Sequence, residues 1–218
     1  MLSRHFIRRS ACINGSALGF SSQSAVLMAA DWHFIPIKET DMFRLEFDGL
    51  FRSANDDHPT PAGIMCYGWR ILRGKRVIAQ GHGTFARGRN ANSNIAEYLA
   101  LVEGLEALHD MGVTEERVLV CGDAKSVINQ MEGVAGVSSP AVRTLHERAQ
   151  RLAAQFPNLR WEWLPRRQNR AADALSRHAF KRLRHDSVLY DSILQKVRKN
   201  HLAGRLMDVG GLRIYQPI

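Results

Sequence analysis

Residues 42–50, MFRLEFDGL, alternate Phe43, Leu45 and Phe47 with Arg44, Glu46 and Asp48, the period of a β-strand. NDDHPTPAG (55–63) is dense in turn formers and marks a loop. IMCYGWRIL (64–72) predicts a second strand, and RGK (73–75) a tight turn into a third, RVIAQGHGTFA (76–86). Short connections between three strands imply an antiparallel meander.

The period then changes. Ile95, Leu99, Val102 and Leu105 recur at helical spacing, predicting a long helix over 94–111 closed by Gly112. Within it, Glu97 heads a row completed by Leu101, Leu105 and Leu108. RVLVC (117–121) is a short apolar run, typical of a strand buried on both faces. Helices follow at 124–133 and 139–156, the second with Ser139 as cap and Pro140 in its first turn. LRWEWLP (159–165) alternates as a strand, NRAADALSRHAFKRL (169–183) is helical, and 186–203 adds a further helical stretch. Helical crossovers between the later strands require parallel pairing, so the expected fold is α/β, a mixed sheet flanked by helices.

Composition bounds the partners. Three cysteines, Cys12, Cys66 and Cys121, form no CxxC pair and no disulfide framework, which points to a reducing compartment. The net charge of +9 is uneven: residues 181–218 hold eight Lys/Arg against three Asp/Glu. A basic tail on a nearly neutral body suggests a polyanion such as nucleic acid, or simply a solvated basic helix. No apolar run approaches the ~18 residues of a membrane span. The first thirty residues carry Arg4, Arg8 and Arg9 and no acid. They are expected to be an unstructured leader of a cytoplasmic protein, with a mitochondrial presequence as the alternative.

Four carboxylates fall at element ends. Asp48 is placed at the end of the first strand, Glu97 in the first turn of the long helix, Asp123 just after RVLVC and Asp173 in the first turn of NRAADALSR. Ligands of α/β sheets gather outside the carboxyl ends of strands, and parallel pairing would set Asp48 beside Asp123. Like charges so placed repel, and divalent cations with a preference for oxygen remove that penalty. Each acid also has a structural alternative. Asn94 with Glu97 fits a capping box, Asp173 suits the helix dipole, Asp123 could cap a helix and Asp48 could precede a turn at Gly49.

Taken in order, FDG (47–49), NIAEYLAL (94–101), CGDAKSVINQMEG (121–133) and NRAADALSR (169–177) resemble type 1 ribonuclease H. The resemblance spans Met42 to Arg177 and implies a ribonuclease H-like mixed five-stranded sheet over residues 42–183. Residues 1–41 would then be a leader and 184–218 a basic, partly helical extension. It implies endonucleolytic cleavage of the RNA strand of RNA–DNA hybrids, with two Mg²⁺ or Mn²⁺ ions on Asp48, Glu97, Asp123 and Asp173; the protein is expected to act as a monomer. The resemblance further implies that Glu97 and the backbone at Gly49 sense the 2′-hydroxyl that DNA lacks, and that Asn94 contacts bases.

Departures from the family pattern are equally specific. The loop before the last aspartate, PRRQN (165–169), carries Arg166 and Arg167 where many members have histidine, and these are expected to touch phosphate. A basic helical protrusion is not evident between Gly133 and Ser139, and the basic tail is the expected substitute. His82, His109 and His178 stand isolated, and Trp161 and Trp163 are expected in the core. Two rivals stand beside hybrid cleavage: a non-catalytic hybrid- or double-stranded-RNA-binding module of the same fold, and the detached ribonuclease H part of a reverse transcriptase.

Overall fold

The computed structural model describes residues 42–54, 61–199 and 201–217. Expectations for the leader, residues 1–41, and for Cys12 lie outside the described residues. The meander forms as expected: β1 (Met42–Ser53), β2 (Gly63–Arg73) and β3 (Arg76–Arg87) pair antiparallel. Gly74, at φ +59°, supplies the left-handed residue of the β2–β3 turn. Helix α1 (Ser93–Asp110) crosses one sheet face and leads to β4 (Arg117–Gly122), parallel to β1. Helices α2 (Lys125–Met131) and α3 (Pro140–Ala153) return the chain to β5 (Leu159–Trp163), parallel to β4. A 3₁₀ turn at Arg166–Gln168 precedes α4 (Arg170–His185), α5 (Ser187–Arg198) and β6 (Leu206–Tyr215).

The sheet order is β5-β4-β1-β2-β3-β6, six strands where five were expected. The extra strand is the chain's last segment, paired antiparallel with β3 across a register shift at Thr84/Phe85. The expected boundary at residue 184 falls inside α4, and the basic extension packs on the sheet through a helix and a strand. Helix α5 contributes Ile193 and Val197 to a second core. The Arg213 guanidinium on β6 reaches Glu103, Glu106 and Asp110 of α1 at 2.8, 3.0 and 3.0 Å.

Alternation along β1 decides what lies on each face. Phe43, Leu45 and Phe47 join Trp69, Ile95, Leu99, Leu105, Val142 and Leu145 in the main core under α1 and α3. On the other face α4 covers Ile64, Cys66 and Ala86 with Ala179 and Leu183. Arg44 and Glu46 are therefore not simply solvent-facing: Glu46 is buried and pairs with Arg44 and Arg70. Cys66 and Cys121 are buried free thiols, pushed up by burial to about 11 and about 12. Among the described residues no helix is long and apolar enough to cross a membrane.

Arg213 is the anchor of β6, since its three carboxylate partners all belong to α1. Replacing Arg213 with Ala leaves Glu103 and Glu106 without their shared cation. We expect this to lower unfolding stability by roughly 1–3 kcal/mol, read as a lower denaturant midpoint with an unchanged slope.

Candidate active site

Strands β1 and β4 run side by side from Met42/Arg117 to Phe47/Gly122. There β4 stops, while β1 continues to Ser53 in its pairing with β2. Asp48 is thus not at the end of its strand, as expected from sequence. It is the first residue beyond the parallel pairing, and Asp123 is the corresponding residue beyond β4. The parallel register sets the two acids side by side.

Helix α1 brings the third. At Gly49 an added Cβ would lie 2.2 Å from the Glu97 amide nitrogen and 2.3 Å from the Ala96 carbonyl carbon. Only glycine lets the helix backbone approach β1 so closely. The Gly49 amide then donates to Glu97 Oε2 at 3.0 Å, fixing the carboxylate over the strand. Asp48, Glu97 and Asp123 each offer an oxygen within 4.8 Å of the others.

The opposite face has a matching device. A Cβ on Gly68 would meet Leu175 Cβ and the Ser176 amide at 2.5 Å, so α4 too lies against backbone. This places the fully buried Ser176 hydroxyl where it donates a hydrogen bond to Asp48 Oδ2. Asn169, fully buried before α4, donates from Nδ2 to Phe47 O and to Asp123 Oδ1, both at 2.8 Å. One amide thereby ties β1, the end of β4 and the start of α4.

Sequence reasoning missed Asn169 and Ser176. Asparagine at a helix start suggests a cap, yet this side chain makes no cap hydrogen bond and turns into the sheet instead. Ser176 carried no signal, because only the crossing of α4 over Gly68 puts it beside Asp48.

Charge in the cluster is poorly compensated. Burial, followed by Asp123 and Asp173 and opposed by the Ser176 hydrogen bond, pushes Asp48 up to about 6. Burial, then the neighbouring Asp48 and Asp123 carboxylates, hold Glu97 well above the usual carboxylate range. Three hard oxygen donors side by side, two of them (Asp48 and Glu97) held back from ionising by burial, are the donor set a divalent cation such as Mg²⁺ or Mn²⁺ relieves.

Asp173 differs from its expected role. It stands beside the triad and acts on Asp48 through charge, yet is not one of the three converging carboxylates. Its Oδ1 accepts from Arg166 Nη2 at 2.9 Å and its Oδ2 from Arg177 Nε at 2.6 Å. Partial burial raises it, but the hydrogen bonds and charges of Arg177 and Arg166 outweigh this and leave it below its ordinary value. Arg166, expected on phosphate, is engaged with Asp173, while Arg167 is exposed on the same turn.

Further expectations change. The cap of α1 is Asn92, whose Oδ1 accepts from the Ile95 amide at 2.9 Å. Asn94 makes no capping box: Glu97 sits beyond the first turn, and Asn94 accepts from Ser126 on α2 at 3.2 Å. Trp161 packs partly against the core, but Trp163 is 45% exposed, because β5 is an edge strand. Its indole donates to Asp123 O at 3.1 Å. His82 and His178 are not isolated; their rings meet edge-on at 4.9 Å.

A family profile described as reverse transcriptase-like matches residues 47–179, which contain all four acids. The chain belongs to this family, and the resemblance to type 1 ribonuclease H holds in both sequence and fold. The bifunctional protein Rv2228c of Mycobacterium tuberculosis is 36% identical over 135 residues, covering 62% of this chain and 34% of that protein. The ribonuclease HI of Halobacterium salinarum is 34% identical over 134 residues, 61% of each chain. The chain thus spans about a third of the first relative and under two thirds of the second. Among solved structures, the N-terminal RNase H domain of Rv2228c superposes with a TM-score of 0.57 at 32% identity, covering 67% of this chain and 98% of that one. The Halobacterium salinarum RNase H1 gives 0.55 at 30%, covering 64% and 98%.

The raised carboxylates make stability depend on pH with a definite sign. Between about 6 and the ordinary 3.8, folded Asp48 holds a proton that the unfolded chain has lost. Stability of the metal-free protein therefore rises as pH falls through that window, by on the order of 2–3 kcal/mol for Asp48. Asp173, shifted the other way, loses its contribution as pH falls through its lowered folded value. Asp48→Asn should be more stable than wild type at pH 7 and lose most of this rise, measured by chemical denaturation in chelator.

Proposed function

We propose that the protein is an endoribonuclease that hydrolyses the RNA strand of RNA–DNA hybrids, with Mg²⁺ or Mn²⁺ as cofactor, two ions per site. The carrying observation is the convergence of Asp48, Glu97 and Asp123 beyond the paired ends of β1 and β4, within a chain of ribonuclease H type.

Asp48, Glu97 and Asp123 would hold the metal, with Asp173 available to the second position once it exchanges an arginine. When bound, divalent ions supply activation of the attacking water and stabilisation of the departing oxygen. The chain's own residues set the geometry. Asn169 holds Asp123 to the β1 backbone and Ser176 holds Asp48, so neither carboxylate needs to reorganise when substrate arrives. Glu97 spends Oε2 on the Gly49 amide, which leaves its second oxygen to accept from a ribose 2′-hydroxyl. Gly49 itself cannot offer open space to the ribose, because α1 fills it. Its absent side chain serves the helix first and recognition only through Glu97.

A non-catalytic binding module is the weaker alternative, since clustered acids beside phosphates repel the ligand such a module would need. Action as a monomer in the cytoplasm completes the proposal. The mitochondrial alternative depends on residues 1–41.

Labelled RNA–DNA hybrid, RNA duplex and DNA duplex, each incubated with Mg²⁺, Mn²⁺ or chelator, separate these cases. The expected outcome is cleavage of only the RNA strand of the hybrid, abolished by chelator. Asp48→Asn and Asp123→Asn should lower turnover by at least about 10³-fold, as for loss of a principal electrostatic group, while retaining the folded spectrum. Binding to hybrid without cleavage in either metal would instead establish the non-catalytic module.

A further inference from the structure

The basic end of the chain was expected to grip nucleic acid, yet its residues are not equivalent in the fold. Arg213 is taken up by Glu103, Glu106 and Asp110, and Arg198 donates to Ala54 O at 3.3 Å. On α4 the situation differs. At ~100° per residue, Arg170, Arg177, Lys181 and Arg184 fall within about 60° of arc on one side of the helix. All four are exposed. Asp173 borders the same stripe, and its charge is already met by Arg166 and Arg177. Among the described residues no carboxylate pairs with Arg170, Lys181 or Arg184, although Arg184 also lies 5.9 Å from the Phe180 ring centre.

We infer that this stripe is a phosphate-tracking ridge, which seats one backbone of the nucleic-acid duplex as it leaves the acid cluster. The inference rests on the hybrid-cleaving function proposed above and adds the surface that holds its substrate. Arg170 stands just ahead of Asp173, and past Asp173 the ridge runs ~16 Å along the helix to Arg184, at ~1.5 Å per residue. At ~3.4 Å per base pair that is the reach of about five pairs of duplex. The geometry answers an electrostatic need. A negatively charged triad repels a polyanion until cations bind, and a row of fixed positive charges beginning at its border offsets that repulsion. Guanidinium and ammonium groups at one- to two-turn spacing suit successive phosphates and read no sequence, as a nuclease of general hybrids requires.

The test compares charge at the ridge with charge elsewhere. Lys181→Gln/Arg184→Gln removes two ridge charges, while Lys75→Gln/Arg151→Gln removes two exposed charges from the opposite end of the sheet, at the β2–β3 turn and the end of α3. Hybrid affinity is read by anisotropy against salt, in the Asp48→Asn background with Mg²⁺ so that the duplex stays intact. The ridge variant should flatten the log–log slope by about 0.9 per lost contact, or about 1.8 in all, and the control pair should not. Trimming the duplex to fewer than about five pairs on one side of the cut should erase the difference for one end only. If wild type cleaves hybrid but the ridge variant keeps the wild-type slope, or the control flattens it equally, the ridge is overturned and the activity stands. If wild type binds without cutting, the activity is overturned and the slope alone decides the ridge. No binding at any salt overturns both.

Discussion

The whole site depends on how closely two helices can lie against one strand pair. Gly49 admits α1 from one face, with helix backbone where a side chain would otherwise stand, and Gly68 admits α4 from the other. Each contact brings a polar group to Asp48: the Glu97 carboxylate from α1 and the Ser176 hydroxyl from α4. A methyl group at either glycine would meet atoms of the helix within about van der Waals overlap, and overpacking of that kind displaces backbone rather than a flexible tip. The helices would then stand off, and the carboxylates with them.

That closeness creates an electrostatic cost which the protein only partly offsets. Two buried hydrogen-bond donors, Asn169 and Ser176, face Asp123 and Asp48, and a backbone amide faces Glu97. None of them carries a charge. The arginines stand one step further out, on Asp173, so the fourth acid is neutralised while the inner three are not. Placed any closer, Arg166 or Arg177 would satisfy the triad and remove the charge that the proposed cation would meet. The stripe of α4 continues the same logic outward, with negative charge at the centre and positive charge along the ridge proposed to seat the duplex.

Much of this was legible in the chain. Alternation in MFRLEFDGL and the continuous run RVLVC marked two strands, and the helical crossover between them called for the parallel pairing that would set Asp48 beside Asp123. Glu97 at the head of a leucine row marked a polar residue at the edge of a buried face. What escaped were features set by crossings between distant segments. Asn169 is a short polar residue at an ordinary helix start and Ser176 one inside the same helix, and nothing local shows that they point inward. Asn92 and Asn94 both suit a cap, and only the backbone entry angle selects Asn92. The pair Gly210–Gly211 obscured β6, because the strand takes a residue at φ +125° at Gly210, next to the register shift in its pairing with β3. Trp163 shares its alternation with Trp161, but the end of an edge strand leaves it without a covering layer.

The central claim is that Asp48, Glu97 and Asp123 converge to take up a cation, which displaces the protons that burial keeps on Asp48 and Glu97. Calorimetric titration of Mn²⁺ at pH 6 in two buffers of different ionisation enthalpy tests it directly. Saturable binding should be accompanied by net proton release, and both should be lost in Asp48→Asn. A heat that never saturates, or binding that releases no protons and survives the substitution, would contradict the account.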